Sequence, residues 1–403
     1  MSNVIAYLIK SLIQFAVKYR QSCAIHKWGS KKMEMTNVAV VGAGKIGEMI
    51  LGLLLGTEDY AVSVFDASEA QFERLPNHSR LTKVCIDVTD EAALSLALSG
   101  HFAVLSATPF FLTRHVAKAA VDAGVHYLDL TEDVASTEYV KSLAANAECA
   151  LIPQCGLAPG FISIVANDVG KGFDELDTIR MCVGALPQFP SNSLNYNLTW
   201  STDGVINEYC EPCVAVKNGE HTMVPALEHL EHFSLDGIAY ESFNTSGGLG
   251  TLAESLEGKV KNLSYQTIRY PGHRDIMKTL LQDLQLRDHR DLLKQVFENA
   301  LPATLQDVVL IFVTVSGMKN GQLFQETYAN KIYSQEVNGQ FCSAIQVTTA
   351  ASICAVLDLL RNGDLSSKGF VCQEEITLDQ FLNNRFGKYY QADPAMGITA
   401  WHF

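Results

Sequence analysis

Residues 37–66 read NVAVVGAGKIGEMILGLLLGTEDYAVSVFD, and this stretch decides the fold. An apolar, β-branched run leads into a G-x-G-x-x-G triplet, Gly42, Gly44 and Gly47, and a helical pattern and a second apolar run follow. This order is typical of the strand, glycine turn, helix and strand that bind a dinucleotide. Gly42 permits the tight turn, Gly44 leaves room for a pyrophosphate, and Gly47 lets the helix pack closely on the strand. A glycine-rich turn in another kind of α/β protein is the alternative.

The two ends of this unit indicate which cofactor it binds. The first helix begins at Lys45 and Ile46, where free backbone N–H groups and the positive end of the helix dipole favour phosphate groups. Asp66 ends the second strand, where a carboxylate can accept hydrogen bonds from both hydroxyls of a ribose. The same carboxylate would repel the 2′-phosphate of NADP, and the nearest basic residue after it is Arg74. We therefore predict NAD as the cofactor, with NADP less favoured.

Strand and helix patterns alternate from this motif to residue 160. This alternation predicts an α/β fold with a doubly wound parallel sheet, the Rossmann fold, whose strands end at the cofactor site. Asp87 and Val88 follow the third strand and are candidates to hold the adenine. Ala107, Thr108 and Pro109 follow the fourth strand, where the nicotinamide ribose would pass.

The pattern changes after residue 160 to short β-type segments, with Asn-Gly hairpin signals at Asn218 and Asn338. These segments predict an α+β substrate and dimerisation domain on a mostly antiparallel sheet. We therefore expect four parts: an N-terminal extension outside the fold at 1–35, an NAD-binding Rossmann domain at 36–160, a substrate-binding and dimerisation domain at 161–340, and C-terminal helices at 341–403 that return to the Rossmann domain.

Composition limits the classes of function. A chain of 403 residues with 48% hydrophobic and 18% charged residues is typical of a folded protein with two domains. The net charge of −14 argues against nucleic acid or an anionic membrane as the main partner. The ten cysteines are scattered, which is typical of buried thiols in a reducing compartment, and the one C-x-x-C has no second pair nearby to bind zinc. We expect a cytoplasmic protein with a small-molecule substrate and no metal.

The first 35 residues differ from the rest of the chain, because six basic residues stand there against one acid, Glu34. Apolar residues between Ile5 and Ile13 have helical spacing, but Lys10 interrupts them, so the run is too short to span a bilayer. A surface helix, a targeting segment and translated sequence upstream of the true start are the three interpretations. Met35 directly precedes the first strand, which favours the last of them.

Six motifs resemble those of the saccharopine dehydrogenase-like reductases, and lysine 6-dehydrogenase and its relatives are the branch they resemble most. The motifs are GAGKIG, SATPF, HYLDLTED, CGLAPG, TSGGLGTLAE and YQTIRYPGH, which lie between Gly42 and His273. The resemblance as a whole covers residues 36 to about 385. The resemblance implies a nicotinamide-dependent oxidation of a C–N bond on an amino acid. The saccharopine reductases typically have an acid where this chain has Ala158, which favours a smaller amine than saccharopine.

Such a reaction needs a base with a pKa near neutrality and a cation that holds the substrate carboxylate. His273, which follows a Pro-Gly turn, is the first candidate base, although a histidine at a helix start fits equally well. Arg269 is the carboxylate candidate, with a surface salt bridge as the alternative. Asp129 and Glu132 follow the fifth strand and could hold the amine or act as a base, unless they cap a helix. Cys155 could touch the nicotinamide or the substrate, but a buried structural thiol is the favoured interpretation.

Four further predictions concern packing. Tyr196 and Trp200 lie four residues apart on a predicted strand, where they line the pocket or, more commonly, the core. His229 and His232 are assigned to a solvated helix face. The apolar strand at 308–313 is either central in its sheet or a subunit interface, and we expect a homodimer.

Three functions compete at this point. The first is an NAD-dependent dehydrogenase that oxidises an amine, such as the ε-amine of lysine, to a semialdehyde through an imine. The second is a saccharopine or carboxynorspermidine-type reductase that joins or cleaves a secondary amine. The third is a non-catalytic NAD-binding regulator that has kept the fold.

Overall fold

The computed structural model describes residues 35–391, so the predicted extension lies outside the described residues except for Met35. The first sheet is entirely parallel, with the order β17-β6-β5-β4-β1-β2-β3. Its strands are β1 (Thr36–Val41), β2 (Tyr60–Asp66), β3 (Leu81–Cys85), β4 (Ala103–Ser106), β5 (His126–Asp129), β6 (Ala150–Ile152) and β17 (Gly369–Phe370).

Helices cover both faces of this sheet, as the predicted Rossmann fold requires. They are α1 (Lys45–Leu55), α2 (Glu69–Phe72), α3 (Glu91–Leu98), α4 (Thr113–Ala123) and α5 (Val134–Ala144). Alternate residues of β1 enter different cores, Val38 and Val40 on one face and Ala39 and Val41 on the other. This burial on both faces explains the unbroken apolar run in the sequence, and the predicted fold class is confirmed.

The second sheet has the order β10-β11-β12-β7-β13-β14, and the hairpin of β8 and β9 pairs with β12. Only β12 and β7 run parallel, so the sheet is mostly antiparallel, as predicted. Its strands are β7 (Glu175–Pro187), β8 (Cys213–Lys217), β9 (Glu220–Val224), β10 (Glu231–Leu235), β11 (Ile238–Asn244), β12 (Val260–Arg269), β13 (Asp307–Lys319) and β14 (Gln322–Tyr333), and a separate small hairpin joins β15 (Gln335–Val337) to β16 (Gln340–Cys342).

The helices after the first domain fall into two groups. α6 (Phe161–Gly170) and α11 (Ala344–Asn362) contribute to a core that is continuous from β1 to the inner face of β7 and β13. Residues that follow β1, β4 and β5 line one cavity with residues of β7 (Glu175–Pro187) and β12 (Val260–Arg269), so the carboxyl edge of the first sheet faces the second sheet. The remaining helices are α7 (Thr202–Cys210), α8 (Leu252–Ser255), α9 (His273–Lys278), α10 (Arg290–Ala300) and α12 (Leu378–Asn383).

Two local predictions are wrong. The stretch that contains Tyr196 and Trp200 forms a loop with one isolated β-bridge. The side chain of Asn192 donates to Tyr196 O over 2.7 Å, and such side-chain bonds compete with strand pairing. His229 lies in a loop with a φ of 55°, and His232 lies on β10, so neither belongs to a helix.

α11 is the one helix within residues 35–391 that is long and apolar enough to cross a membrane by length and composition alone. Inside the protein, 83% of that apolar window is buried, because the helix packs against α1 and β13. Ser343 and Gln346 form a capping box at its start. Burial on most sides accounts for its apolar composition without a membrane.

The domain boundaries and the homodimer stay predictions.

A buried ion cluster ties the C-terminal segment to the first sheet. Asp59, 3% exposed, accepts two hydrogen bonds from Arg385 and pairs with Arg361. Arg385 also bonds Asp358, which accepts a hydrogen bond from Tyr60. Burial raises the pKa of Asp59, but the bonds from the two arginines outweigh it and hold the pKa well below its usual value.

We expect Asp59→Asn to lower the free energy of unfolding by ~3 kcal/mol at pH 7, because it leaves two arginines without their shared carboxylate. Since the folded-state pKa is depressed, this stability is present above the ordinary pKa of 3.8 and is lost as pH falls below it. The difference between the two proteins should therefore stay constant from pH 7 to pH 5 and shrink as pH falls from about 4 towards 2 in urea titrations. Asp168→Asn, which removes an exposed pair with Lys171, is the control and should change stability by less than ~0.5 kcal/mol. Equal stability of Asp59→Asn and wild type at pH 7 would contradict the prediction.

Candidate active site

A cavity of about 830 Å³ lies between the carboxyl edge of the first sheet and the second sheet. Its walls include the glycine turn, the loops after β4 and β5, and residues of β7 and β12. All predicted cofactor residues except Gly47 line it: Gly42, Gly44, Lys45, Ile46, Asp66, Asp87, Val88, Ala107, Thr108 and Pro109. Gly47 packs directly against the glycine turn. A Cβ on this residue would lie 1.8 Å from Gly42 O, so only glycine fits there.

The geometry of this half of the cavity fits a nicotinamide dinucleotide. Asp66 is held by two backbone donors, from Ala43 N to Oδ2 over 2.8 Å and from Ser68 N to Oδ1 over 2.9 Å. Each carboxylate oxygen keeps a free lone pair, so the group can still accept from ribose hydroxyls. Gly44 precedes α1 without a side-chain cap, and a Cβ on it would meet nothing within 4 Å. Open space beside uncapped helix N–H groups suits a pyrophosphate.

Arg269, the last residue of β12, lines the other half of the cavity and is only 2% exposed. Its Nε donates to Tyr209 Oη over 2.8 Å, and its Nη1 donates to Ile268 O over 3.0 Å. The guanidinium pairs with no carboxylate among residues 35–391. A buried cation without a counter-ion is costly, so this group is suited to bind an anionic part of a ligand.

Two acids face the same half of the cavity. Glu132 follows β5, and burial raises its pKa to about 7. Glu208 lies on α7; burial raises its pKa to about 8, with Arg269 opposing the rise and Glu132 adding to it. Both carboxyl groups therefore exchange protons near neutral pH, which is the range in which a general base works best. A Cβ on Gly204 would lie 3.3 Å from Glu132 Oε1, so the start of α7 packs against this carboxyl group.

Two buried hydroxyl groups near Arg269 have no hydrogen-bond partner in the described part of the chain. They belong to Thr199, 5% exposed and on the cavity wall, and Tyr196, 1% exposed. The Tyr196 ring centroid lies 5.4 Å from the Arg269 Cζ. An unmet buried hydroxyl costs roughly 1–3 kcal/mol, so the Thr199 hydroxyl on the cavity wall is suited to contact a ligand, whereas Tyr196 packs in the core behind it. Trp200 also lines the cavity, from a loop rather than the predicted strand.

Asp129 lies behind the cavity wall and is not placed to hold the amine or act as a base. Its Oδ1 accepts from Thr131 N over 3.0 Å and Gln154 N over 2.8 Å, and its Oδ2 accepts from Tyr127 Oη over 2.8 Å. Burial raises its pKa to about 6, with these three bonds opposing the rise. The carboxylate fixes the ends of β5 and β6 relative to each other.

Cys155 is also behind the wall, in agreement with the favoured interpretation of a structural thiol. It is fully buried, its Sγ donates to Ile152 O over 3.0 Å, and Gln373 Nε2 donates to the sulfur over 3.2 Å. Burial raises the pKa of the thiol, so it stays protonated and unreactive.

His273, the first candidate base, occupies a position that does not suit that role. It is 1% exposed, its Nδ1 contacts Leu194 O over 2.8 Å, and its Nε2 contacts Tyr209 Oη over 3.0 Å. Burial and the nearby Arg269 charge lower the pKa of the imidazole to about 3. Both ring nitrogens are engaged and the ring stays neutral, so it cannot take a proton from a substrate in the cavity.

The sequence interpretation missed two residues of the site, Glu208 and Tyr209. The available signal was an acid inside the apolar helical run VINEYC at 205–210, since an acid at such a position is rarely buried without a reason. The other new wall residues carry no local signal, because the packing of the second sheet, of α11 and of loops against the first sheet brings them to the cavity.

Residues 38–152 match the family described as the saccharopine dehydrogenase NADP binding domain, and residues 156–388 match the saccharopine dehydrogenase C-terminal domain. Saccharopine dehydrogenase (NADP(+), L-glutamate-forming) of Saccharomyces cerevisiae is 23% identical over 62% of this chain and 59% of its own length. The mitochondrial alpha-aminoadipic semialdehyde synthase of Bos taurus is 23% identical over 75% of this chain and 34% of its own. The chain thus spans well under two thirds of these relatives.

Solved structures give a likeness of fold. Apo saccharopine dehydrogenase (L-Glu forming) from Saccharomyces cerevisiae has a TM-score of 0.72 at 16% identity, covering 91% of this chain and 99% of that one. Homospermidine synthase from Legionella pneumophila, in complex with NAD, has a TM-score of 0.65 at 13% identity, with 92% and 93% covered. Similarity at such identities concerns the arrangement of the two sheets and not the chemistry.

Proposed function

The chain belongs to the saccharopine dehydrogenase family, and on that premise we propose that it is a nicotinamide-dependent oxidoreductase acting on a C–N bond of an amino acid. One observation carries the proposal. The dinucleotide half of the cavity is continuous with a half that holds a buried cation, Arg269, and two acids that titrate near neutrality, Glu132 and Glu208. Such groups suit a substrate with a carboxylate and an amine.

Each residue is assigned a role in substrate binding or proton transfer from its position in the cavity. Arg269 holds the substrate carboxylate through its guanidinium fork, assisted by the hydroxyl of Thr199. Glu208, whose carboxyl group lies within the electrostatic influence of Arg269, holds an α-ammonium group next to that carboxylate. Glu132 follows β5, the neighbour of β4, whose end carries the predicted nicotinamide contacts. It is therefore the base for the reacting amine.

The proton steps follow from this division. An ammonium group must lose a proton before its carbon can release a hydride, and Glu132 takes that proton. The bound dinucleotide supplies the ring that accepts the hydride. The C–H bond breaks and leaves an imine on the substrate, and water then adds to the imine carbon. That addition releases one proton to solvent, and Glu132 passes its own proton to the departing nitrogen. The ammonium substrate, water and the oxidised cofactor together give an aldehyde, an ammonium ion, the reduced cofactor and one proton.

The proposed substrate is a small α-amino acid with a second amine, of which lysine is the first to test. Ala158 lines the cavity and brings no charge to the position where the saccharopine reductases typically have an acid. A secondary amine of the saccharopine type is the second candidate, because the relatives named above are saccharopine dehydrogenases.

A substrate panel separates the candidates. The protein is incubated with NAD or NADP and with lysine, saccharopine or a diamine, and the absorbance of the reduced cofactor is followed. Turnover of lysine without saccharopine supports the main proposal, and turnover of saccharopine alone supports the second. Cofactor binding without turnover of any amine, in either direction, would instead favour a non-catalytic regulator.

The cofactor is proposed to be NAD, although the matching family is described as NADP-binding. The fixed carboxylate of Asp66 would face the 2′-phosphate of NADP, and repulsion there should weaken NADPH at least tenfold relative to NADH. We expect Asp66→Ser to weaken NADH and to reduce this ratio below threefold in fluorescence titrations. Glu69→Gln, an exposed acid three residues away, should leave both affinities unchanged. Tighter binding of NADPH by the wild type would reverse the assignment.

A further inference from the structure

We propose that Tyr209 and His273 form a hydrogen-bonded relay that positions Arg269 to hold the substrate carboxylate. The inference rests on the proposed function, since it assigns two positioning residues to the same site. Neither residue reacts with the substrate: His273 acts through Tyr209, and Tyr209 acts through Arg269.

The contacts allow only one direction for each proton in the neutral relay. Leu194 O can only accept, so His273 Nδ1 carries the hydrogen and donates to it over 2.8 Å. The unprotonated Nε2 must then accept, and Tyr209 Oη donates to it over 3.0 Å. The Tyr209 oxygen in turn accepts from Arg269 Nε over 2.8 Å. Both ring nitrogens of His273, the Tyr209 hydroxyl and Arg269 Nε are therefore satisfied, and such a bonded buried network is rigid.

The relay brings together elements that are distant in sequence. Arg269 ends β12, Tyr209 lies near the end of α7, and His273 begins α9. Gly272 has a φ of 95°, a left-handed conformation that favours glycine, and it turns the chain so that His273 faces back towards Arg269. Phe243 stacks on the imidazole with ring centroids 6.4 Å apart, and the Tyr196 ring meets it edge-on at 5.5 Å.

The arrangement leaves one edge of the guanidinium for a ligand. Nε is held by Tyr209 and Nη1 by Ile268 O, so the planar group is fixed in rotation. Arg269 still lines the cavity, and its remaining N–H groups are those available to a carboxylate. A neutral imidazole at the end of the relay adds no second positive charge beside the guanidinium.

The kinetic test compares two substrates that differ only in the carboxylate. The first pair is lysine and the diamine that lacks its carboxyl group. If the substrate panel identifies another amine, the corresponding pair is used. The measured quantity is the ratio of kcat/KM for the amino acid to kcat/KM for the diamine. In Tyr209→Phe this ratio should fall about tenfold, because the bond from the charged Arg269 is lost. The change should be mainly in KM for the amino acid. His273→Leu should lower the ratio similarly, whereas His273→Gln, whose side-chain oxygen can still accept from Tyr209, should recover part of it. Tyr270→Phe removes a partly buried bond to Pro187 O nearby and should leave the ratio unchanged.

A purely structural role would affect both substrates equally, and that outcome would overturn the proposal, as would an unchanged ratio in Tyr209→Phe. A second readout needs no substrate at all. Nitrogen NMR of histidine-labelled wild type should show His273 with a protonated Nδ1 and a bare Nε2 from pH 5 to pH 8. The opposite tautomer or a cationic ring would also overturn the relay. Failure of every amine to react, with the expected tautomer present, would count against the proposed function and not against the relay.

Discussion

Arg269→Met is expected to lower kcat/KM for the amino-acid substrate by about 10²–10³-fold, the largest effect we expect on substrate binding. Methionine keeps most of the length of the side chain but removes the only buried guanidinium on the described cavity wall. The loss corresponds to the roughly 2–5 kcal/mol observed when one partner of a buried charge pair is truncated. The measurement is steady-state kinetics with the amine identified by the substrate panel.

The variant also makes a prediction about stability that distinguishes binding from folding. In the free protein Arg269 has no counter-ion among the described residues, so its replacement by an apolar side chain should not destabilise the fold strongly. Arg180→Met is the matched control, because Arg180 lies on the neighbouring strand and bonds Gln266, Ser242 and Glu231 outside the cavity. Activity of Arg269→Met within threefold of wild type would contradict the assignment of the carboxylate site.

The cofactor half of the site could be predicted because its determinants are local. The turn that contains Gly42, Gly44 and Gly47 and the strand that ends at Asp66 all lie within one strand–helix–strand unit. Their positions follow from the geometry of that unit, and the remaining contacts follow from the rule that parallel strands end at the same edge. Long-range packing is not needed to place them.

The residues of the substrate half of the cavity could not be predicted in the same way, because their roles depend on contacts between distant parts of the chain. His273 looks like a base by residue type, yet its chemistry is decided by Tyr209 and Leu194, which lie 64 and 79 positions away in the chain. Asp129 has the right place at a strand end, but Gln154 and Tyr127 use both its oxygens. Because His273 and Asp129 are buried and fully hydrogen-bonded, both have a structural role. Their burial depends on the tertiary fold, which short stretches of sequence do not reveal.

Glu132, and not His273 or Asp129, is the base that we propose, because its carboxyl group is free of hydrogen bonds to other described side chains. Its carboxyl group is buried against α7 without a hydrogen bond to another described side chain, so burial raises its pKa to about 7. Asp129 is buried more deeply, at 1% exposed, and its pKa also rises, to about 6, but three donors occupy its carboxylate oxygens. A base must keep its lone pairs free for the substrate, and Glu132 satisfies this condition.

Glu132→Gln is therefore expected to lower kcat by about 10²–10⁴-fold, the range typical for removal of a general base. Glutamine has the same shape but cannot take a proton at any pH used. In the wild type, activity should fall as pH falls through about 7, because protonation of Glu132 removes the base. Measured from pH 5.5 to pH 9, the residual activity of the variant should lack this acidic limb.

Two comparison variants separate proton transfer from substrate holding. Glu208→Gln should raise KM about tenfold and leave kcat within a few-fold, because Glu208 is proposed to hold the α-ammonium rather than to accept the reacting proton. Glu138→Gln changes an exposed acid on the helix after Glu132 and should alter neither constant. If Glu208→Gln instead lost kcat and the acidic limb while Glu132→Gln kept both, the two roles would be exchanged. The substrate amine would then have to react beside Arg269, which would favour oxidation of an α-amine over a distal one.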